Sequence, residues 1–217
     1  MSDHKLLNGP KIEPVSKTVK NIVLFLHGYG ANGSDLINIA SEWIDILPNT
    51  IFYSPNAPFI CDINPEGFQW FKLIERTEEE LQKGLQQCGP PLNSFIDHIL
   101  EKHQLKMKDL LIVGFSQGTI ISLYHLIRRK LPCAGIIGFS GLYFEGKGLD
   151  VDISFPILLY HGKDDQVIEC ESSKKAEKLL SEKGFNVDCH LQENLGHGID
   201  INGLNVAKEF IKKIFKV

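Results

Sequence analysis

The sequence predicts an α/β protein with a mostly parallel central sheet and helices on both faces. Two observations carry this. Short, continuous apolar runs recur at residues 21–26, 109–113, 134–140 and 156–160, and such runs suit strands covered on both faces. Between them lie segments with apolar residues at helical spacing, and strands alternating with helices indicate a parallel sheet.

Residues 1–20 are polar, with Pro10 and Pro14, and allow a short edge strand around residues 12–15. The run at 21–26 ends in the loop His27-Gly28-Tyr29-Gly30-Ala31-Asn32-Gly33. Asn32 or Ser34 is placed to cap a helix over residues 35–47, which Pro48 closes. A strand is expected over residues 50–54. Residues 55–71 carry Pro55, Pro58, Pro65 and Gly67 among aromatics, punctuation that predicts an irregular loop. A loop of this length is often functional. We expect one domain over 1–217, with residues 55–75 covering substrate. Trp70 and Phe71 are the substrate-binding candidates, with anchoring of the loop on the core as the alternative. A polar helix is expected from Arg76 to Gln87, an interruption at Gly89-Pro90-Pro91, and a second helix over 93–103. Later helices are expected over 119–130, 172–183 and 204–215, with an edge strand over 187–193.

Composition narrows the function. The chain of 217 residues is 43% hydrophobic with a net charge of −4, so it can bury a large core and lacks the basic surface a nucleic-acid partner demands. Its cysteines (Cys61, Cys88, Cys133, Cys170 and Cys189) form no CxxC pair, which points to free thiols rather than a disulfide framework or metal cage. No apolar run approaches a membrane span and residues 1–14 contain no signal-peptide apolar region. A soluble, cytoplasmic protein without integral membrane association is the expectation.

The chemistry centres on Gly114-Phe115-Ser116-Gln117-Gly118. This G-x-S-x-G follows an apolar run and precedes a helical one. A strand, sharp turn and helix in that order lift a serine hydroxyl to the top of a sheet, at a helix N-terminus that favours negative charge. A serine needs a base within hydrogen-bond reach. Among eight histidines, His197 in Leu195-Gly196-His197-Gly198 is the best placed, on the loop after the last expected strand. His27 and His161 end strands, are followed by glycine and look like turn residues. The base needs an orienting carboxylate. Asp165 is chosen because Val167 and Ile168 would pin its loop to the core; Asp164 is the fallback. The order Ser, Asp, His is that of an α/β-hydrolase. Oxyanion donors are expected at the backbone N–H groups of Gln117 and Tyr29. Gly28, Gly30 and Gly33 also match a dinucleotide fingerprint, but no acidic residue closes a second strand about 20 residues on, so no cofactor and no metal are expected.

These residues resemble the phospholipase/carboxylesterase family, which includes acyl-protein thioesterases, lysophospholipases and small bacterial carboxylesterases. The resemblance spans residues 26–197 and rests on LHGYGANGSDL, SPNAPF, QWF, GFSQG, HGKDDQVI and LGHGI. It implies an α/β-hydrolase fold and a triad of Ser116, Asp165 and His197, with the acid matching Asp165 rather than Asp164. It also implies oxyanion donors at Tyr29 and Gln117, an ester or lipid-like acyl substrate, no cofactor, and pairing as a homodimer in many members. Thr119 stands where many members have glycine, and Ile168 replaces a valine. Other α/β-hydrolase chemistry, such as peptide or lactone hydrolysis, and a non-catalytic binding protein on this fold are the alternatives.

Overall fold

The computed structural model describes residues 6–75, 77–149 and 152–217. His4 and Arg76 lie outside the described residues. In chain order the elements are β1 (Lys11–Ile12), β2 (Asn21–Leu26), α1 (Gly33–Ile37), β3 (Thr50–Tyr53), β4 (Phe59–Ile60), β5 (Phe68–Gln69), α2 (Glu78–His103), β6 (Leu110–Phe115), α3 (Gln117–Ile127), β7 (Gly135–Phe139), β8 (Pro156–Gly162), α4 (Glu171–Glu182), β9 (Asn186–Gln192) and α5 (Ile201–Phe215).

Seven strands form one sheet in the order β1-β3-β2-β6-β7-β8-β9. β1 is antiparallel to β3 and every other neighbouring pair is parallel. This is the mostly parallel sheet of an α/β-hydrolase. The inner strands are apolar on both faces because both are covered. In β2, Ile22, Leu24 and Leu26 face one core, which also holds Leu85, Ile96, Ile121 and Leu180 from α2, α3 and α4. Val23 and Phe25 face the other, with Leu36 and Ile37 of α1 and Ala207 and Ile211 of α5. The period-two alternation of a strand therefore yields two cores from one run of residues.

The chain reverses direction across the sheet between β2 and β6. β3 lies on one side of β2 and β6 on the other. Ligands of open α/β sheets bind beyond the carboxyl ends of the strands at such a switch. Leu26 pairs with Gly114, so the loop beginning at His27 and the turn at Ser116 leave the sheet side by side.

Three expectations about elements are corrected. The helix expected over 35–47 is shorter: α1 ends at Ile37 and a 3₁₀ segment, Asn38–Glu42, follows. Ile37, Ala40 and Trp43 are buried, a spacing of three that eclipses one face of a 3₁₀ turn. Trp43 is wholly buried and its indole donates to Leu204 O at 3.2 Å. Asn32 is the cap, accepting from Ser34 N at 2.8 Å. The break at Gly89-Pro90-Pro91 is absent, for α2 runs through both prolines. Each interior proline costs about 3 kcal/mol, yet Leu85, Cys88, Leu92, Phe95, Ile96 and Ile99 form one buried stripe across it. At about 1.5–3 kcal/mol for each fully buried large side chain, the stripe outweighs the break. The carbonyls that lose their donors belong to Gln86 and Gln87, both exposed, so water can serve them. The 55–71 segment is not wholly irregular, because β4 and β5 pair as a small antiparallel hairpin. Among the described residues no helix is long and apolar enough to cross a membrane.

Candidate active site

Ser116 sits between β6 and α3 with φ 53° and ψ −116°, a left-handed conformation that costs a non-glycine residue energy and recurs at functional sites. The neighbours make the turn sterically obligatory. A Cβ at Gly118 would lie 1.8 Å from Leu26 O, and one at Gly114 would lie 2.5 Å from Thr119 N. Ser116 N donates to Phe139 O at 2.9 Å, tying the turn to the end of β7. Thr119 fits at this crowded turn because Gly138 and Gly141 make room. A Cβ at either would lie within 2.6 Å of the Thr119 side chain. The Thr119 hydroxyl also donates to Phe139 O at 2.9 Å.

Asp165 and His197 are brought together by the ends of β8 and β9. Asp164 N donates to Leu195 O at 3.0 Å. A Cβ at Gly162 would lie 2.1 Å from Leu195 O, so the two loops pack backbone to backbone. His197 Nδ1 lies 2.7 Å from Asp165 Oδ2. The Asp165 side chain is fully buried and that of His197 is 19% exposed. Asp164 is exposed and its carboxylate takes no part in this pairing.

The Asp165 carboxylate is saturated with donors. Oδ1 accepts the N–H groups of Val167 and Ile168 at 2.8 and 3.0 Å. Of the two side chains expected to pin this loop to the core, Ile168 packs against it, whereas Val167 is 56% exposed and does not; the pair holds the carboxylate through backbone N–H groups instead. Oδ2 also lies 3.0 Å from His161 Nε2. Burial works to raise the Asp165 pKa, but the hydrogen bonds from Ile168, His197 and Val167 overcome it and hold the carboxyl below its ordinary value.

His161 was expected to be a turn residue; it is instead a wholly buried second histidine on Asp165. Its Nε2 lies 2.8 Å from Ile168 O, which can only accept, so Nε2 carries the proton. Its Nδ1 lies 2.7 Å from the Ser173 hydroxyl. A polar ring closing an apolar strand four residues before the acid was the available signal. His27 is also wholly buried. Its Nδ1 lies 2.7 Å from Gly28 O and its Nε2 accepts Ala57 N–H at 2.9 Å. Burial lowers its pKa against the bond to Gly28, and two backbone partners fix it as a neutral strut between the glycine loop and the 55–71 segment.

Ser116, Gln117, Tyr29 and His197 all line one cavity of about 580 Å³. Among the described residues, the backbone N–H groups of Tyr29 and Gln117 donate to no other protein group. Ile63, Leu73, Leu81, Ile120, Leu142 and Val167 supply apolar wall, and among the described residues no Asp, Glu, Lys or Arg lines it. Phe115 is a lining residue the sequence did not single out, its ring 5.0 Å from that of His197. Burial, helped by a hydrogen bond with Cys61, raises the Tyr29 phenol pKa to about 12.

Trp70 and Phe71 do not line the cavity, which corrects their assignment to substrate binding. Both are buried, at 0% and 1% exposure. The Trp70 indole donates to His27 O at 3.0 Å, and Phe71 packs so closely on α2 that a Cβ at Gly84 would lie 2.5 Å from its own. Proline and glycine mark a loop but not the direction in which its aromatics point. Among the described residues no group of three or more His, Cys, Asp or Glu side chains is arranged to hold a metal ion.

Comparison with known proteins agrees with this fold. The family model described as Phospholipase/Carboxylesterase matches residues 7–215. The crystal structure of esterase PE8 superposes with a TM-score of 0.93 at 35% identity, covering 97% of this chain and 100% of that one. An acyl-protein thioesterase 1 from Debaryomyces hansenii is 24% identical, over 98% of this chain and 99% of its own. Esterase YpfH from Escherichia coli is 24% identical, over 97% of this chain and 88% of its own. The chain belongs to the phospholipase/carboxylesterase family.

Proposed function

We propose that the protein hydrolyses carboxylic esters or thioesters of an uncharged acyl group through an acyl-enzyme formed on Ser116. The reading rests above all on one arrangement. A strained serine opens into an apolar cavity whose wall also carries a histidine, and that histidine is held 2.7 Å from a buried carboxylate. Esterase and thioesterase relatives support it.

In the proposed reaction the Ser116 hydroxyl attacks the acyl carbonyl and its proton passes to His197 Nε2. Asp165 holds the Nδ1–H of His197 and stabilises the imidazolium. The Tyr29 and Gln117 N–H groups take the charge on the tetrahedral oxygen, helped by the N-terminus of α3. His197 then gives its proton to the departing alcohol or thiol. Water, deprotonated by His197, then adds to the acyl carbonyl; the bond to Ser116 Oγ breaks, the acid is released, and His197 returns the proton to Ser116. Saturation of Asp165 with donors keeps it ionised throughout.

Substrate preference follows from the walls. A charged acyl group would meet no charged partner among the described lining residues, at a desolvation cost none of them offsets. A volume of about 580 Å³ lies in the range of small-molecule sites, so a medium-length apolar chain is the proposed substrate. The segment over 55–75 covers it, with Ile63 and Leu73 as its contribution to the wall. The test is hydrolysis of p-nitrophenyl esters from short to long acyl groups, with Ser116→Ala as control. We expect an optimum at medium length and a loss of at least about a thousandfold in Ser116→Ala. Turnover retained without the Ser116 hydroxyl would overturn the proposal.

A further inference from the structure

The two proposed oxyanion donors belong to different elements. Tyr29 follows β2, whereas Gln117 begins α3. Their separation is therefore not set by either element alone. The close approach of Gly118 to Leu26 O fixes how near the helix start comes to the end of β2, but not how the glycine loop beyond it is held.

Trp70 reaches both sides. Its indole Nε1–H donates to His27 O at 3.0 Å, immediately before Gly28 and Tyr29. Its backbone N–H donates to Gln117 Oε1 at 2.8 Å. The other end of the Gln117 amide, Nε2, donates to Phe71 O at 2.8 Å. One side-chain amide thus pairs with two successive residues of the covering segment, as a strand neighbour would. Gln117 is 1% exposed and Trp70 0%, so neither bond competes with water. The His27 and Trp70 rings also lie against each other, their centroids 5.7 Å apart.

We infer that Trp70 and the side chain of Gln117 are positioning residues, a single buried brace that sets the spacing of the Tyr29 and Gln117 N–H donors. The inference rests on the oxyanion role proposed above. It gives a reason for glutamine after the nucleophile, where the chemistry uses only a backbone N–H. It also makes the covering segment part of the catalytic geometry rather than only a wall of the cavity.

Trp70→Phe keeps an aromatic ring and the backbone N–H to Gln117 Oε1 and removes the indole donor to His27 O. Gln117→Met keeps the length and removes both amide bonds while leaving the backbone N–H in place. The readouts are kcat and KM on a medium-chain p-nitrophenyl ester. A third is the affinity for a trifluoromethyl ketone of the same chain, which adds to the serine and places an oxyanion between the donors. Each variant is expected to lose about tenfold to a hundredfold in kcat, the scale of a small misplacement at a reacting centre. KM should stay within about threefold. Ketone affinity should fall with kcat/KM, and the double variant should lose little more than the worse single one, because both break the same brace. Trp43→Phe is the control. Trp43 is wholly buried, and its indole donates to Leu204 O at 3.2 Å away from the cavity, so its loss should lower Tm and leave kcat within about twofold. Folded Trp70→Phe or Gln117→Met with kcat near that of the parent overturns the brace, as does a loss confined to KM or ketone affinity that does not follow kcat/KM. If one variant fails to fold, the other decides. Failure of the underlying proposal is distinguishable, since turnover would then survive Ser116→Ala.

Discussion

Replacing Asp165 with asparagine exchanges one oxygen for an amino group with almost no change of shape, and the surrounding bonds determine the outcome. Oδ1 accepts two backbone N–H groups, and Oδ2 faces His197 Nδ1 and His161 Nε2. The proton on His161 Nε2 cannot move, because Ile168 O also requires it. With the amide nitrogen at the Oδ2 position, a donor faces that donor. His197 must then accept at Nδ1 and carry its proton on Nε2, where a base needs a lone pair. With the amide reversed, its nitrogen faces the N–H groups of Val167 and Ile168. Each orientation leaves at least one buried donor unmatched, at about 1–3 kcal/mol apiece. A chain of this size loses about 2–4 °C of Tm per kcal/mol, so a fall of roughly 5–10 °C is expected. The wrong histidine tautomer should cost about 10⁴ in kcat, the scale found when the aspartate of a serine-protease triad becomes asparagine. The assay is kcat and KM on a p-nitrophenyl ester beside a thermal melt, with Asp164→Asn as the comparison. Asp164 is exposed, so its variant should keep kcat within about twofold and its Tm within about 2 °C. A folded Asp165→Asn protein with kcat within tenfold of the parent would refute the reasoning.

Acid should act through His125 as well. It is 8% exposed, and burial pushes its pKa from 6.5 to about 4. The unfolded chain takes up the proton below about pH 6.5 and the folded chain does not. Its contribution to stability is therefore full above that pH and declines toward pH 4, by about 3 kcal/mol in total. Urea midpoints measured across this window should fall, and His125→Met should flatten the slope; an unchanged slope would assign the acid sensitivity elsewhere. Asp165, with its pKa held low, adds a loss only below its ordinary value of 3.8. In the cavity, Leu81 projects from α2 into the apolar wall. Leu81→Trp should shift the preferred ester to shorter chains while leaving turnover of the shortest within about threefold. An unaltered chain-length profile would show that the acyl group lies elsewhere.

Much of the fold is legible in the sequence because strands and turns are local. Residues 21–26 spell a two-faced strand, and the structure places β2 at those bounds. The GFSQG turn is legible from its own residues as well, for Gly114 is dictated by Gly118 and Thr119 of the same turn, although Gly118 is dictated by Leu26 of the neighbouring strand. The placement of Asp165 rather than Asp164 beside His197 was within reach too, because Ile168 of the same short loop packs on the core.

What the sequence determined by itself is the alternation of apolar runs and helical stripes, the strained serine turn, and the chain order of serine, acid and histidine. The runs, the stripes and the turn depend on residues within a few positions of one another, and the order of the three residues is read directly along the chain. What only the tertiary structure decided is how distant segments share polar atoms. Trp70 and Gln117 are 47 residues apart, and Trp70 and His27 are 43 apart, so nothing in local spacing shows that the tryptophan turns away from the cavity. The helix through Pro90 and Pro91 is of the same kind. Local propensity favours a break there, and burial of a stripe against the sheet overrides it. Periodicity records which face of an element is apolar, but the partner of a buried donor is set by packing between elements.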